Sequence, residues 1–229
     1  MIKNYIFLFF FFFGIIFISI IFIPSLFLPQ KFVIFGGKLM GYWTIFCLKF
    51  FLSTKILIKG TENIIKNEKF FIAASHQSMF ETFFLQTLFN SPVFILKKEL
   101  LFIPIFGWYL KKIGSISIER GKITKNNLNF LEKIHKTILN SNRPLIIFPQ
   151  GTRVLPCERP PFKKGVSRIY EKLNIVCQPV AINSGNVWPK VGKKNSGRTI
   201  TISILPQINK NLQKDQFLKN LEEKIYQEL

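Results

Sequence analysis

The stretch Phe70–Phe84, FFIAASHQSMFETFF, joins an apolar strand to an apolar helix through a short polar turn. The strand is predicted to end at Ala74 and the helix to begin near Met79. His76 lies in the turn, and Glu81 follows five residues later in the first helical turn, where a carboxylate also complements the helix dipole. A carboxylate that accepts from Nδ1–H fixes the imidazole tautomer and raises the basicity of Nε2, as a general base for an alcohol requires. His76 and Glu81 are therefore candidate catalytic residues.

The same segment has a purely structural interpretation. With Ser78 as the helix N-cap and Glu81 three residues later, the sequence matches a capping box, in which each side chain bonds the other residue's backbone N–H. His76 is then incidental to the turn. Taken alone, this segment leaves both interpretations open.

A second polar strand end occurs in IIFPQGTR. The predicted strand Leu145–Phe148 is followed by Pro149, and Gly151 then allows the backbone to approach a ligand closely. Thr152 and Arg153 supply a hydroxyl and a planar cation, for which phosphate is a natural ligand. An arginine in such a loop can also simply be solvated.

A third strand end carries Glu119 and Arg120 beside Gly121, in GSISIERG. In a parallel sheet the carboxyl ends of the strands share one edge, where ligands generally bind. Three polar strand ends on three different strands therefore predict a single site at that edge.

Past residue 55, short apolar runs alternate with helical patterns. This alternation indicates an α/β fold with a largely parallel central sheet flanked by helices. The spacing of apolar residues predicts a helix over Thr124–Asn140, and the Gly-, Lys- and Asn-rich stretch Ser184–Arg198 is interpreted as a surface loop. The predicted strands are Lys55–Lys59, Phe70–Ala74, Val93–Lys97, Ser115–Ile118, Leu145–Phe148, Ile175–Ile182 and Thr199–Leu205.

The N-terminal segment is interpreted as a membrane-inserted helix. No charged residue occurs from Asn4 to Gln30, and Ile6–Leu28 is almost wholly Phe, Ile and Leu. At a rise of about 1.5 Å per residue such a run spans roughly 30 Å, the thickness of a bilayer core. A cleaved signal peptide is the alternative, although the run exceeds the roughly 7–15 residues of a typical h-region.

A second apolar stretch, Leu39–Leu52, is short for a span and predicts either a half-inserted hairpin partner or a buried core helix. We therefore divide the chain into a membrane-anchoring segment, residues 1–52, and an α/β domain, residues 53–229. Lysines are more numerous after the first apolar segment than before it, which places the domain on the cytoplasmic face of the membrane. Lys3 precedes the segment, and Lys31, Lys38, Lys49 and Lys55 follow it.

The composition narrows the possible functions. The 229 residues include 32 Lys and Arg against 12 Asp and Glu, a formal net charge of +20, which favours an anionic partner such as phospholipid, a phosphorylated metabolite or nucleic acid. The 3 Cys are widely spaced, which argues against a disulfide framework or a zinc site. The sequence has no G-x-S-x-G elbow and no P-loop, which argues against serine and nucleotide hydrolases.

Four blocks of the chain resemble those of the glycerolipid acyltransferase family, over roughly residues 55–210. They occur in the family's order: SHQSMFE for H-x-x-x-x-D, GSISIERG for the second block, FPQGTR for F-P-E-G-T-R, and VCQPVAI, Val176–Ile182, for the fourth. Within the family, the blocks are most similar to those of enzymes that acylate lysophosphatidic acid.

The resemblance implies transfer of a fatty acyl group from acyl carrier protein or coenzyme A thioester to the sn-2 hydroxyl of lysophosphatidic acid. The setting is an anionic phospholipid membrane, with no nucleic acid partner and no metal. No cofactor is implied, because thioester cleavage drives the reaction while the protein supplies a base and positioning. Two alternatives remain: the same chemistry on another lysolipid, and a membrane-tethered basic protein that binds anionic lipid without catalysis.

The resemblance also implies roles for individual residues. His76 is the general base, and Glu81, in place of the usual Asp, orients it. Arg120 and Arg153 bind the acceptor's phosphate. Gln150 stands where the family has Glu, which removes a charge beside that phosphate and leaves the identity of the acceptor open. The residues that shape the acceptor pocket are Gln150, Gly151 and Thr152, and Pro179 belongs to the substrate wall.

Overall fold

The structure is a computed structural model, and it describes residues 2–118 and 130–229. Within these ranges the chain forms seven strands and seven α-helices. The strands are β1 (Lys55–Lys59), β2 (Phe70–Ala74), β3 (Val93–Lys97), β4 (Ile116–Ile118), β5 (Leu145–Ile147), β6 (Val176–Ile182) and β7 (Thr199–Ile204). The helices are α1 (Ile2–Ile21), α2 (Gln30–Leu52), α3 (Phe80–Leu88), α4 (Phe106–Lys112), α5 (Phe130–Leu139), α6 (Gly165–Leu173) and α7 (Lys214–Gln227).

The seven strands form one sheet in the order β1-β7-β6-β2-β5-β3-β4. The pairs β1–β7, β2–β6 and β3–β4 are parallel, whereas β6–β7 is antiparallel. All residues of β6 are buried, as expected for a strand covered on both faces. The predicted α/β fold with a largely parallel central sheet is confirmed. The antiparallel pair arises where a loop with one 3₁₀ turn, Ser184–Asn186, joins β6 to β7 without an α-helical crossover.

The bounds of all seven strands agree with the prediction to within one residue at each end. The second apolar segment differs from the prediction, because α2 begins at Gln30 and not at Leu39. Its first turns contain two lysines and two glycines, which lower the hydropathy of the segment without interrupting the helix. Of the helix predicted over Thr124–Asn140, the described part is α5, and residues 119–129 lie outside the described ranges.

The described residues group into two compact units: residues 48–81 with 146–229, and residues 2–47 with the described part of 82–145. In the first unit, aromatic side chains pack α6 and α7 against β2. The Tyr170 ring stacks on the Phe217 ring with 3.8 Å between centroids, and Phe71 of β2 contacts both rings. Phe71 and Phe217 are fully buried, so this cluster is part of the core.

In the second unit, α1 and α2 form an antiparallel hairpin. The Trp43 indole lies against Gly14 and donates to the carbonyl oxygen of Phe10 at 3.1 Å. Near the turn of the hairpin, the Phe22 ring lies where a Cβ on Gly36 would come within 2.8 Å of it. Glycines at both contacts let large aromatic rings approach the opposite helix backbone closely.

One side of the hairpin packs on α3. The Phe11 ring meets the Phe83 ring edge to face, with 5.6 Å between centroids. A Cβ added to Gly41 would lie 2.6 Å from the carbonyl oxygen of Phe83, so only glycine fits there. The middle of each hairpin helix is thus in direct contact with α3.

The turn end of the hairpin packs on α4. The Tyr109 hydroxyl donates to the carbonyl oxygen of Ser19 at 2.6 Å, and burial raises the pKa of this tyrosine. The amide nitrogen of Gln30 donates to the carbonyl oxygen of Lys112 at 2.9 Å. The hairpin is therefore attached to the rest of its unit from its middle to its turn.

Arg143 joins three backbone segments of the second unit. Its guanidinium donates to the carbonyl oxygens of Ser91 at 2.5 Å, Ile113 at 2.7 Å and Pro92 at 3.3 Å. Burial lowers the pKa of the guanidinium, which nevertheless stays protonated at neutral pH. Arg143 thus connects the loop after α3 and the end of α4 to the segment before β5.

We predict that Arg143→Met destabilises the protein, because it leaves the carbonyl groups of Ser91, Pro92 and Ile113 without their donor. The expected loss is about 2–4 kcal/mol in the free energy of unfolding, from the typical value of hydrogen bonds to charged groups. Denaturant unfolding in detergent measures it. Arg168→Met on the exposed side of α6 is the matched control and should stay within about 0.5 kcal/mol of the wild type. Equal stability of the two variants would contradict the role given to Arg143.

Candidate active site

The turn after β2 is held against the end of β6 by Ser75. The Ser75 hydroxyl donates to the carbonyl oxygen of Ile182 at 3.1 Å and accepts from the N–H of Ile182 at 2.7 Å. The N–H of Ser75 donates to the carbonyl oxygen of Val180 at 3.0 Å. Because β2 and β6 are parallel, their carboxyl ends lie at the same edge, and the residues after both strands come together there.

His76 and Glu81 form the predicted pair. The Nδ1 atom of His76 lies 3.3 Å from Oε2 of Glu81, and the side chains are 14% and 0% exposed. The imidazole stacks on the Phe148 ring with 4.1 Å between centroids and an interplanar angle of 17°. No residue within the described ranges hydrogen-bonds Nε2. The imidazole is thus held from one edge and one face, with Nε2 available to a ligand.

Glu81 is buried, and several donors surround its carboxylate. The N–H of Ser78 lies 3.0 Å from Oε2 and 3.2 Å from Oε1, and the N–H of Gln77 lies 3.2 Å from Oε1. The Ser184 hydroxyl also donates to Oε1. Together with His76, these groups compensate for the removal of a carboxylate from water.

The Glu81 carboxylate contacts both the start of α3 and the imidazole of His76. Glu81 accepts from the N–H of Ser78, as in a capping box, whereas the Ser78 hydroxyl accepts from the N–H of Phe80 at 3.1 Å, one residue before the position that a capping box uses. The same carboxylate reaches the imidazole through Oε2. The start of α3 and the orientation of His76 are therefore set by one side chain.

Ser184 and Phe148 are site residues that the sequence analysis did not single out. Ser184 is fully buried and directly follows the asparagine after β6. The strand-end argument that found His76 and Arg153 could have found Ser184 as well. The sequence predicts Phe148 as the last residue of a strand, and only the packing shows its contact with the imidazole.

The loop after β5 returns to His76. Gly151 has φ +73°, a left-handed conformation that favours glycine, and a Cβ there would lie 3.3 Å from Cγ of Lys163. The N–H of Val154 donates to the carbonyl oxygen of His76 at 2.9 Å. Arg153 therefore directly precedes a residue bonded to His76, while Thr152 is exposed.

Gln150 is 2% exposed, and its amide oxygen and nitrogen have no hydrogen-bond partner among the described residues. The amide lies beside the Tyr226 hydroxyl, whose pKa is raised to about 12 by burial and by the nearby carboxylate of Glu222. The Tyr226 hydroxyl donates to the carbonyl oxygen of Pro160 at 2.5 Å. As a hydrogen-bond neighbour the Gln150 amide lowers the pKa of that hydroxyl slightly, and the rest of its hydrogen-bonding capacity is unused within the described residues.

Of two other predicted site residues, the structure describes Pro179 and does not describe Arg120. Arg120, together with Glu119, lies outside the described residues. Pro179 is inside β6, opposite Ala73 of β2, and its carbonyl oxygen accepts from the N–H of Leu205 at 3.0 Å. Among residues 2–118 and 130–229, no three His, Cys, Asp or Glu side chains are grouped as metal ligands.

This arrangement suits proton abstraction from a hydroxyl. A carboxylate at Nδ1 keeps the hydrogen on that atom, so Nε2 is the basic nitrogen. When Nε2 takes a proton, the buried carboxylate stabilises the imidazolium that forms. Arg153 supplies a cation close to the same turn.

Comparisons with known proteins identify the family of this chain. The Acyltransferase family model matches residues 55–183. A relative from Pseudomonas aeruginosa is 34% identical over 152 residues, which cover 66% of this chain and 58% of the relative. A relative from Saccharomyces cerevisiae is 30% identical over 173 residues, which cover 73% of this chain and 56% of the relative. A relative from Helicobacter pylori is 40% identical over 120 residues, which cover 51% of this chain and 50% of the relative.

All three relatives are named 1-acyl-sn-glycerol-3-phosphate acyltransferase. The aligned part of this chain spans between half and three fifths of their length. The fold is similar to the crystal structure of the 1-acyl-sn-glycerophosphate (LPA) acyltransferase PlsC from Thermotoga maritima, with a TM-score of 0.80 and 22% identity. That similarity covers 99% of this chain and 96% of the other.

We predict that Ser184→Ala lowers the free energy of unfolding by about 1–3 kcal/mol, because the buried Glu81 carboxylate loses a donor. Denaturant unfolding followed by tryptophan fluorescence measures the change. Ser196→Ala, at an exposed position of the same loop, is the control and should leave stability unchanged. If both alanine variants are as stable as the wild type, the Ser184–Glu81 hydrogen bond contributes nothing to the fold.

Proposed function

The chain belongs to the acyltransferase family, and we propose that it transfers a fatty acyl group from an acyl thioester to the sn-2 hydroxyl of lysophosphatidic acid. The product is phosphatidic acid, and the free thiol of acyl carrier protein or coenzyme A is released. The observation that carries the proposal is the His76–Glu81 pair with Nε2 free, on a turn that is hydrogen-bonded to Val154, the residue after Arg153. The names of the relatives support lysophosphatidic acid as the acceptor.

In the proposed reaction His76 Nε2 takes the proton of the acceptor hydroxyl as its oxygen attacks the thioester carbonyl. A carbon–oxygen bond forms, the carbon–sulfur bond breaks, and the proton passes from His76 to the departing sulfur. Glu81 holds the ring through Nδ1 and stabilises the imidazolium between the two proton transfers. No cofactor takes part, because the thioester itself supplies the driving force.

Arg153 is proposed to bind the acceptor's phosphate, since a guanidinium can donate two parallel hydrogen bonds to phosphate oxygens. Arg120 keeps the same role as a proposal from the family resemblance. Gln150, Gly151 and Thr152 are proposed to shape the acceptor pocket, and the unused hydrogen-bonding capacity of the buried Gln150 amide supports a ligand contact there. The amide of Gln150, in place of the family's carboxylate, does not repel a phosphate. The same substitution is also compatible with another lysolipid as the acceptor.

We propose that the hairpin attaches the protein to the membrane. Both α1 and α2 are long and apolar enough to cross a membrane, a property that buried core helices and signal sequences share. A buried core helix does not fit α1, because large apolar side chains cover its outer side. Phe9 is 64% exposed, Phe13 and Phe17 are each 54% exposed, and Phe27 in the turn is 87% exposed.

The contacts of the hairpin favour insertion into one leaflet over a complete crossing. The turn end of the hairpin is bonded to α4, whose last turn carries Lys111 and Lys112. If the hairpin crossed the bilayer, this end would lie on the far side and would take the lysine-bearing helix with it, at a high cost. We propose that residues 1–52 anchor the protein from the cytoplasmic face and that residues 53–229 hold the site.

We predict that His76→Ala reduces acyl transfer by at least about 10²–10⁴-fold, the range typical of a general base, while folding is retained. Purified protein in detergent is assayed with labelled acyl thioester and three acceptors: lysophosphatidic acid, lysophosphatidylcholine and an uncharged monoacylglycerol. His135→Ala, which removes the other histidine, is the matched control and should keep full activity. Normal turnover by His76→Ala would overturn the catalytic assignment.

Two substitutions of Glu81 separate its catalytic and capping roles. Glu81→Gln should reduce the rate less than His76→Ala, because an amide still orients the ring but does not stabilise an imidazolium. Full activity of Glu81→Ala would show that the carboxylate only caps α3. A wild-type protein that binds anionic lipid and acylates none of the three acceptors would favour the non-enzymatic alternative, and a preference for lysophosphatidylcholine would favour another lysolipid.

We predict that the protein stays in the membrane pellet after carbonate extraction and that Phe27→Cys resists membrane-impermeant thiol reagents from either side of sealed vesicles. The native Cys157 is exposed and reports the side on which the site lies, whereas Cys47 and Cys177 are buried. Labelling of Phe27→Cys from the side opposite Cys157 would show that the hairpin crosses the bilayer. Release of the protein by high salt alone would mean that charge provides the attachment.

A further inference from the structure

The loop between β6 and β7 is anchored at the active site. Its first part is buried, with Val187 at 0% and Trp188 at 4% exposure, unlike the surface loop expected from its composition. The N–H of Asn195 donates to the carbonyl oxygen of Val187 at 2.8 Å, and the Asn195 side-chain amide donates to the carbonyl oxygen of Asn186 at 2.8 Å. These bonds hold Asn195 against the turn Ser184–Asn186, and Lys194 is the residue before it.

The loop that carries Arg153 packs on the same turn. A Cβ added to Gly185 would lie 3.0 Å from Cγ of Pro156 and 3.0 Å from Cβ of Gln77. The N–H of Gly185 also donates to the side-chain oxygen of Gln77 at 3.0 Å. Arg153 and Lys194 therefore approach the turn Ser184–Asn186 from two different loops, and Ser184 in that turn bonds the catalytic carboxylate.

Arg153 and Lys194 influence each other electrostatically. Both are half-buried, and the Lys194 ammonium donates to the carbonyl oxygen of Gly192 at 3.2 Å. The pKa of Lys194 is lowered by burial and, secondly, by the positive charge of Arg153. Neither cation is ion-paired with a carboxylate in the part of the chain that the structure describes. Two neighbouring cations without an acid repel each other, and an anion between them would relieve that repulsion.

We propose that Lys194 is a second phosphate-binding residue, which holds the acceptor's phosphate together with Arg153. This inference rests on the proposed function. The two side chains suit a phosphomonoester: the planar guanidinium of Arg153 donates to two oxygens, and the compact ammonium of Lys194 donates to a third. A phosphomonoester has three terminal oxygens and up to two negative charges. A phosphodiester has two terminal oxygens and one negative charge. Lys194 thus favours lysophosphatidic acid over lysolipids whose phosphate carries a second substituent.

Steady-state kinetics of Lys194→Gln test this role. The Michaelis constant for lysophosphatidic acid should rise by about 10-fold or more, from the typical strength of hydrogen bonds to charged groups. Turnover number and the Michaelis constant for the thioester donor should stay within about twofold. Lys194→Arg should recover most of the loss, and Lys193→Gln, at the exposed neighbouring position, should behave like the wild type. Lys194→Met serves the same purpose if the Gln variant does not fold.

Inhibition by glycerol 3-phosphate identifies the group that Lys194 contacts. The inhibition constant should rise in Lys194→Gln by the same factor as the Michaelis constant for lysophosphatidic acid, and the preference over lysophosphatidylcholine should fall by a similar factor. An unchanged inhibition constant, or an effect on the thioester donor alone, would overturn the proposal while leaving the acyltransferase function intact. Failure of the proposed function gives a different result, because the wild type itself would then not acylate lysophosphatidic acid. That result would overturn both the proposed function and the role of Lys194.

Discussion

The buried carboxylate of Glu81 is the interaction on which the site depends. It is fully buried, and donors from two separate segments replace the water that it lost on folding: the turn after β2 and Ser184 after β6. Because an unpaired buried carboxylate is very unfavourable, the loss of any of these donors is expected to destabilise the site. One ionised group thereby joins two strand ends and orients His76.

Glu81 stands where the resembled family has an aspartate, and its side chain is one methylene longer. The extra methylene lets one side chain reach the backbone at the start of α3, the hydroxyl of Ser184 and Nδ1 of His76 at once. The same carboxylate bonds the backbone at the start of α3 and contacts the imidazole, so the positions of the helix start and of the ring are coupled. The stack of His76 on Phe148 restricts the ring further.

The proposed substrate combines an acyl chain that belongs in lipid with a phosphate that belongs in water. The protein has one feature suited to each part. The exposed aromatic side of the α1–α2 hairpin suits the apolar membrane, and its other side is bonded to α3 and α4. Arg153 and Lys194, cations without acidic partners among the described residues, suit the phosphate. The net charge of +20 is therefore a property of the whole chain, and Arg153 and Lys194 are two of the cations that contribute to it.

The sequence by itself determined what depends on neighbouring residues. Apolar runs bounded by turn residues marked every strand to within one residue, and the spacing of five between His76 and Glu81 is short enough to close across one turn. Only the tertiary structure decided which distant strand ends meet. Ser184 bonds Glu81 across 103 positions, and Arg153 and Lys194 lie on two different loops that pack on the same turn. The helix α2 extends to Gln30 although its first turns are weakly apolar. Such contacts follow from sheet order and packing, which local periodicity does not encode.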